Sequence, residues 1–405
     1  MRADDDLDAE LGLRHRSFGP MSAQDRAHWR AELADYVMTG RQFGVFDGGQ
    51  IIGAARYYDM RQYWHGRPVP MAGVGGVMVA PEARGRGVGR AMMTALLTAM
   101  AGDGYALSTL YPATAQIYRS LGWELAGGNY RAEVPGRALG ALLPPDPHVR
   151  SLSAGPRAAG AGLIRRAGPD DAEQVIAVLG AVHAGARDCG PATRDRASVR
   201  RWLADPELFA YLADDGFLSY GWHGGTSKAI LIEALQAGSA QTARALWGIV
   251  ASHASVTELV HAAVGPYDPV SWLTREPDVS VRRLRHWMLR VLDPIGAIAG
   301  RGFPATVQAS VLLELADPYL PGNAGDYALA VSDGQGSLSR GITGRPASSP
   351  AASPVALGPR GFAALYAGVP MATLRAAGLA AGGDHGTDAV LDAVFAAQPF
   401  LLDYF

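Results

Sequence analysis

Residues 77–101 read VMVAPEARGRGVGRAMMTALLTAMA. A β-branched run, Val77-Met78-Val79, passes into Arg84-Gly85-Arg86-Gly87-Val88-Gly89-Arg90 and then into a helical pattern with Val88, Met92, Ala95, Leu96 and Ala99 on one face. Backbone N–H groups with almost no side-chain bulk, opening a helix, form an anion cradle. The unsatisfied donors and the positive end of the helix dipole point the same way, and a diphosphate fits best.

Two better-known phosphate loops are excluded. A P-loop needs G-x-x-x-x-G-K-[ST], and no lysine follows a glycine at that spacing. A dinucleotide fingerprint needs G-x-G-x-x-G, whereas Gly85, Gly87 and Gly89 are spaced by two and no acid stands about 20 residues on.

Around this stretch, Phe43–Phe46 and Ile51–Tyr58 flank Asp47-Gly48-Gly49, which predicts a hairpin, and Gly73–Val79 is the next strand. Ala106–Leu110 reads as a short strand, residues 113–121 as a helix, and Gly122-Trp123 as its end and the start of another strand. Further out, PGRALGALLPPDPHVRSLSAGPRAAGAG (135–162) has the Pro, Gly, Ala and Ser content of a connection between domains. Three blocks result, at 1–140, 163–292 and 293–405. The second repeats the strand-then-helix opening of the first without an R-x-x-G-x-G. The third has β-rich segments at 309–315 and 327–331, a GRPASSPAASP loop at 344–354, and helices near 359–367, 370–380 and 386–397.

With 405 residues, 48% apolar and 18% charged, the chain reads as globular and multidomain. Lys+Arg 36 against Asp+Glu 38 leaves no basic excess to hold a nucleic acid. The one cysteine, Cys189, fits a reducing compartment. The acidic start MRADDDLDAELGLRH lacks the order of a signal peptide, and no apolar run reaches the ~18 residues of a membrane span. A cytoplasmic protein without membrane or nucleic-acid partners is expected. The ten histidines show no compact ligand spacing, so no metal site is expected.

R-x-x-G-x-G behind V-x-V-x-P resembles the acetyl-coenzyme A loop of the GNAT acetyltransferases, and Tyr118-Arg-Ser-Leu-Gly122-Trp123 resembles their Y-x-x-x-G-[FW] segment. The resemblance implies a splayed strand at Val77, Met78 and Val79 that pairs with the pantetheine arm. It implies further cofactor contacts at Arg84, Gly85, Arg86, Gly87, Val88, Gly89, Arg90, Ala113 and Thr114, with Val79 N–H on the thioester oxygen. For Arg86 and Arg90, solvated charge and phosphate contact are both open. Tyr118 would supply a proton to the departing thiolate, a phenol of pKa ~10 facing a thiol of ~8.5.

The whole chain resembles the enhanced intracellular survival (Eis) branch of that superfamily. The implied fold is mixed α+β: a catalytic GNAT domain, a degenerate GNAT-like domain and a sterol-carrier-protein-like α/β domain. Arg285 to Val291, leading to Arg301-Gly302-Phe303, resembles that branch's entry to its third domain. The branch uses its C-terminal carboxylate as general base, and this chain ends on apolar Phe400-Leu-Leu-Asp-Tyr-Phe405, where Phe405 would take that role and Asp403 is the alternative. The resemblance implies a small-molecule amine acceptor, an aminoglycoside or similar polyamine, and a homo-hexamer. Phe18, Asp25, Trp29 and Tyr36 are the candidate acceptor contacts, the aromatics equally readable as core. The rival readings are acetylation of a protein lysine or a natural-product amine, and a non-catalytic acyl-coenzyme A or lipid binder.

Overall fold

The computed structural model describes residues 7–139, 164–223, 228–274, 277–341, 353–403 and 405. Most of the 135–162 connection and of the 344–354 loop lies outside them. The first block carries α1 (Leu7–Phe18), α2 (Ala23–Met38), β1 (Gln42–Asp47), β2 (Gln50–Trp64), β3 (Arg67–Val79), α3 (Val88–Gly102), β4 (Leu107–Leu110), α4 (Ala115–Ser120), β5 (Glu124–Pro135) and a short α5 (Gly136–Leu139).

Gly48 and Gly49 sit at φ +56° and +89°, the left-handed pair that a two-residue hairpin demands. A second hairpin was not foreseen. β2 runs on to Trp64 and β3 begins at Arg67, turned by His65 and Gly66 at φ +45° and +77°. Pro68 and Pro70 disguise this part of β3, since proline reads as a strand breaker. They are tolerated because β4 joins β3 only from Met71, leaving one side of the strand without a partner there.

The second block adds β6 (Arg165–Arg166), α6 (Ala172–Ala186), β7 (Ala192–Arg194), α7 (Arg196–Leu203), β8 (Phe209–Ala213), β9 (Gly216–His223), β10 (Ala229–Ala237), α8 (Ala240–Ala251), β11 (Leu259–Val264), α9 (Val270–Leu273) and β12 (Ser280–Val291). The third block holds α10 (Pro294–Gly300), β13 (Ala309–Leu315), β14 (Gly325–Ser332), β15 (Gln335–Arg340), β16 (Val355–Leu357), α11 (Pro359–Tyr366), α12 (Met371–Ala376), β17 (Ala380–Gly382), α13 (His385–Phe395) and β18 (Phe400–Leu401).

Among the described residues, the strands of the first two blocks form one continuous sheet in the order β1-β2-β3-β4-β12-β5-β11-β10-β9-β8-β6. β12 inserts between β4 and β5, and β5 pairs with β11, so each block completes the other's sheet. β7 adds to β2, and β18, from the chain end, pairs parallel with β5. The third block forms its own sheet, β15-β14-β13-β16-β17.

Helix α3 buries Met92, Met93, Leu96, Leu97 and Met100 against Ala55, Tyr57, Ala72 and Val74 of β2 and β3. Each such side chain contributes roughly 1.5–3 kcal/mol by leaving water. The third block's interior is filled by Val311, Leu313, Leu329, Leu365 and Phe395. At its border with the first block lies a fully buried guanidinium, Arg301, ringed by Trp64, Phe303, Tyr366 and Phe395 at 4.5–5.5 Å.

Candidate active site

Helix α3 opens behind Gly87, whose φ of +81° only glycine adopts freely, and no side chain caps it. Gly85 is likewise left-handed at φ +77°. A Cβ at either position would meet nothing within 4 Å, so the glycines serve backbone conformation and leave the N–H groups open. Gly89 serves packing, because a Cβ there would lie 3.1 Å from Ile117 Cδ1. Uncapped first-turn N–H groups on a 15-residue helix suit an anion. Arg84 Nε donates to the Val79 carbonyl (3.3 Å), Arg86 pairs with Asp47 (3.0 Å), and Arg90 donates to the Tyr319 hydroxyl of the third block (3.0 Å).

β3 and β4 pair from Met71↔Leu107 to Val74↔Leu110, and β3 then continues to Val79 beside β2 alone. A bulge opposite Ala54–Arg56, with Gly76 at φ +61°, marks where they part. The Ala80 N–H donates to Ile52 O of β2 (2.8 Å). By alternation the Val79 N–H faces away from β2, into the gap. Across it, Ala113 and Thr114 are exposed at the start of α4.

Tyr118 sits on α4 with 6% of its surface exposed, edge-on to Trp123 at 6.4 Å. Burial pushes its phenol up to about 12, and its hydroxyl has no hydrogen bond among the described residues. Its helix is pinned from two other blocks. Gly122, at φ +98°, leaves the room that Arg290 and Pro359 occupy, since a Cβ would lie 2.7 and 2.8 Å from them. Arg290 Nε donates to Leu121 O (3.2 Å) while its Nη2 grips Asp317 through both carboxylate oxygens (2.7 and 2.6 Å). Glu124, whose burial is outweighed by the Leu125 N–H, Arg119 and Arg360 so that its carboxyl sits below its usual value, adds a second tie to the third block.

The chain end threads between the first two blocks. Asn129 donates to Leu401 O (2.9 Å), Tyr111 to Asp403 O (2.6 Å), and Phe400 N–H to Cys189 O (3.0 Å). Phe405 lies edge-on to Tyr58 (5.8 Å) and Tyr111 (5.7 Å), over Gly73, where an added Cβ would stand 2.8 Å from its ring. Gly73 pairs with Thr109, one residue before β3 and β4 separate. The terminal residue therefore stands at the mouth of the gap that Val79 faces.

The candidate acceptor residues divide. Tyr36 is buried edge-on against Tyr58 at 5.2 Å, so it joins the Phe405 cluster. Trp29 faces the guanidinium of Arg56 at 3.9 Å, and that fully buried arginine pairs with Glu32 at 3.4 Å. Phe18 stands 53% exposed beside Arg14. The Asp25 side chain lies outside those described. Sequence reasoning missed Tyr58, Tyr111 and Asn129. An amide in mid-strand β5 was the one available signal.

It also missed a cavity of about 460 Å³ between the first two blocks, lined by Asn129, Arg131, Arg194, Trp202, Glu233, Arg285, Leu402 and Asp403 among others. Arg194 lies 3.6 Å from Asp403, and Trp202 Nε1 donates to Glu233 (2.6 Å). Burial raises the Glu233 carboxyl, with Asp205 and Asp403 adding to it.

Comparison with known proteins gives the class. An Acetyltransferase (GNAT) domain model matches residues 2–126, a second matches 190–291, and a Sterol carrier protein domain model matches 295–402. The crystal structure of a GCN5-related N-acetyltransferase from Kribbella flavida superposes with a TM-score of 0.88 at 40% identity, covering 100% of this chain and 97% of that one. The chain belongs to the GCN5-related N-acetyltransferases and is an acyltransferase. Within them it is of the Eis type, with two GNAT domains and a sterol-carrier-like third. N-acetyltransferase Eis of Mycobacterium tuberculosis is 27% identical over 341 residues, 78% of this chain and 77% of the relative. Eis1 from Mycobacterium abscessus shares the fold, with a TM-score of 0.74 at 24% identity over 100% of this chain and 98% of that one.

Proposed function

We propose that this acyltransferase moves the acetyl group of acetyl-coenzyme A to a primary amine, with the chain's own C-terminal carboxylate as base. The observation that carries the reading is Phe405 docked over Gly73, where β3 and β4 part. Acetyl-coenzyme A fits the open gap and the uncapped, glycine-lined start of α3, and when bound it supplies the acyl thioester. Gly85 to Arg90 would hold the diphosphate, with Arg84 bracing the end of β3. The edge of β3 at Val77–Val79 and the Ala113 and Thr114 N–H groups would receive the pantetheine arm.

The Phe405 carboxylate takes a proton from the acceptor ammonium, whose nitrogen then forms the new C–N bond. As the C–S bond breaks, the nitrogen's second proton passes to the departing sulfur, so the products are the amide and the free thiol. The Val79 N–H offers a hydrogen bond to the thioester oxygen. Tyr118, at about 12, is a far weaker acid than a thiol near ~8.5, so it keeps its proton and donates a hydrogen bond to the departing sulfur. Outright proton donation by Tyr118 is the role that resemblance implies. The acceptor occupies the cavity that ends at Leu402 and Asp403.

An aminoglycoside or similar polyamine is the acceptor suggested by resemblance. A homo-hexameric assembly and a cytoplasmic setting rest on resemblance and composition; no helix among the described residues is long and apolar enough to cross a membrane. The lipid-binder reading has less support, because the third block's interior is filled with side chains. The test is thiol release from acetyl-coenzyme A with a panel of amines, including aminoglycosides, with products counted by mass spectrometry. Cofactor binding without turnover of any amine would refute the reading.

A further inference from the structure

The cavity between the first two blocks has two electrically distinct ends. At the end nearest the chain terminus, Asp403 and Glu233 share one nearby guanidinium, that of Arg194. Two carboxylates facing one cation, two residues before Phe405, make a seat for an ammonium about to lose its proton.

The opposite end lies on β5 and β12. Arg131 stands directly across the ladder from Arg282, and Arg285 pairs with Asn129 beyond the intervening Arg283↔Tyr130 pair. Like charges directly opposite in a ladder repel. Burial, with Arg282 and Arg285 adding, holds the Arg131 guanidinium below its ordinary value, so its charged form is uncomfortable there. Glu133, on the same strand, is engaged by Arg282. Arg131 and Arg285 both line the cavity, together with Leu284 and Asn129. Asn129 is also the residue that holds Leu401, so the basic end begins about 7 Å along β5 from the anchor of the chain end.

From this arrangement we infer that the acceptor is zwitterionic, its amine seated at Glu233 and Asp403 and an anionic substituent at Arg131 and Arg285. The inference rests on the acetyl-transfer reading, and it departs from the polyamine acceptor that resemblance suggests. A polycation would place surplus ammonium groups against the arginines, whereas an amino acid-like acceptor matches both ends. Arg131 is a specificity-determining residue in this scheme, remote from the reacting atoms.

The test uses the full chain and ω-amino carboxylates of four, six and eight carbons, each beside its uncharged amide and the diamine of equal length. Binding is measured by calorimetry, and turnover by thiol release. The best carboxylate is expected to bind at least about tenfold tighter than its amide, with the diamine weakest. Arg131→Gln should bring the acid-to-amide ratio close to one while leaving KM for acetyl-coenzyme A unchanged. Its thermal midpoint should not fall, because the substitution relieves a like-charged pair. Diamine or amide binding as tightly as the acid, or a ratio unaltered in R131Q, overturns the inference. Absence of turnover with every amine would count against acetyl transfer itself, while the binding ratios still decide the charge of the ligand.

Discussion

Asp317→Leu should destabilise the protein out of proportion to the size of the change. Arg290 and Asp317 are only 2% and 4% exposed at their side chains, and both carboxylate oxygens lie within 2.7 Å of Arg290 Nη2. The Asp317 carboxylate also accepts from the Tyr319 and Leu320 N–H groups and from Asn323 Nδ2. Removing it leaves a guanidinium in the interior with only backbone carbonyls, at a cost of about 3–5 kcal/mol. Replacing both partners, as in Arg290→Met with Asp317→Leu, removes the stranded charge and should bring stability back to within about 1–2 kcal/mol of the wild type. Activity should not return with it. The double variant still lacks the Arg290 donor to Leu121 O, and the end of the helix carrying Tyr118 is freed. A displacement near 1 Å lowers turnover on the order of tenfold or more. Urea titration followed by tryptophan fluorescence reads the stability, and thiol release reads kcat. A loss under about 1 kcal/mol in D317L, or a double variant no more stable than the single, would refute the reasoning.

Three further outcomes follow from single positions. Gly73→Ala puts a Cβ 2.8 Å from the Phe405 ring and the Met60 sulfur, both able to yield; kcat should drop with little change in thermal midpoint or in acetyl-coenzyme A affinity. Gly87→Ala costs about 1–2 kcal/mol of left-handed strain without any clash, so weakened binding of acetyl-coenzyme A by calorimetry should be its main effect. Glu10 is buried and raised to about 7 mainly by desolvation, against a usual 4.5. The unfolded chain releases that proton first, so this residue's contribution to stability declines between about pH 4.5 and 7 by roughly 3 kcal/mol and is level above. Glu10→Gln should flatten that decline in urea titrations at several pH values.

What the sequence carried plainly was local. Gly48-Gly49 and the Gly85–Gly89 cradle show themselves because left-handed glycines and an apolar-periodic helix are properties of neighbouring residues. The place of Tyr118 on a helix that stops before Gly122 was readable for the same reason. The long-range pairings were not. Nothing near Ser280–Val291 announces that β12 will slot between β4 and β5, since parallel and antiparallel neighbours are chosen by the whole sheet. The cavity between the first two blocks was hidden likewise, because Arg131, Arg194, Glu233 and Asp403 come from four distant segments and each reads alone as a surface charge. The Phe18 and Trp29 pair illustrates the converse. Both are aromatics on adjacent helices, yet one is half exposed and the other is stacked on a buried arginine that no local pattern marks.

The most direct measurement is kcat for the chain extended by two glycines past Phe405, beside its affinity for acetyl-coenzyme A. Moving the carboxylate two residues beyond Phe405 should lower kcat by about 100-fold or more, the scale of a lost general base, with cofactor affinity and thermal midpoint unchanged. Turnover at the wild-type rate in the extended chain would contradict the account.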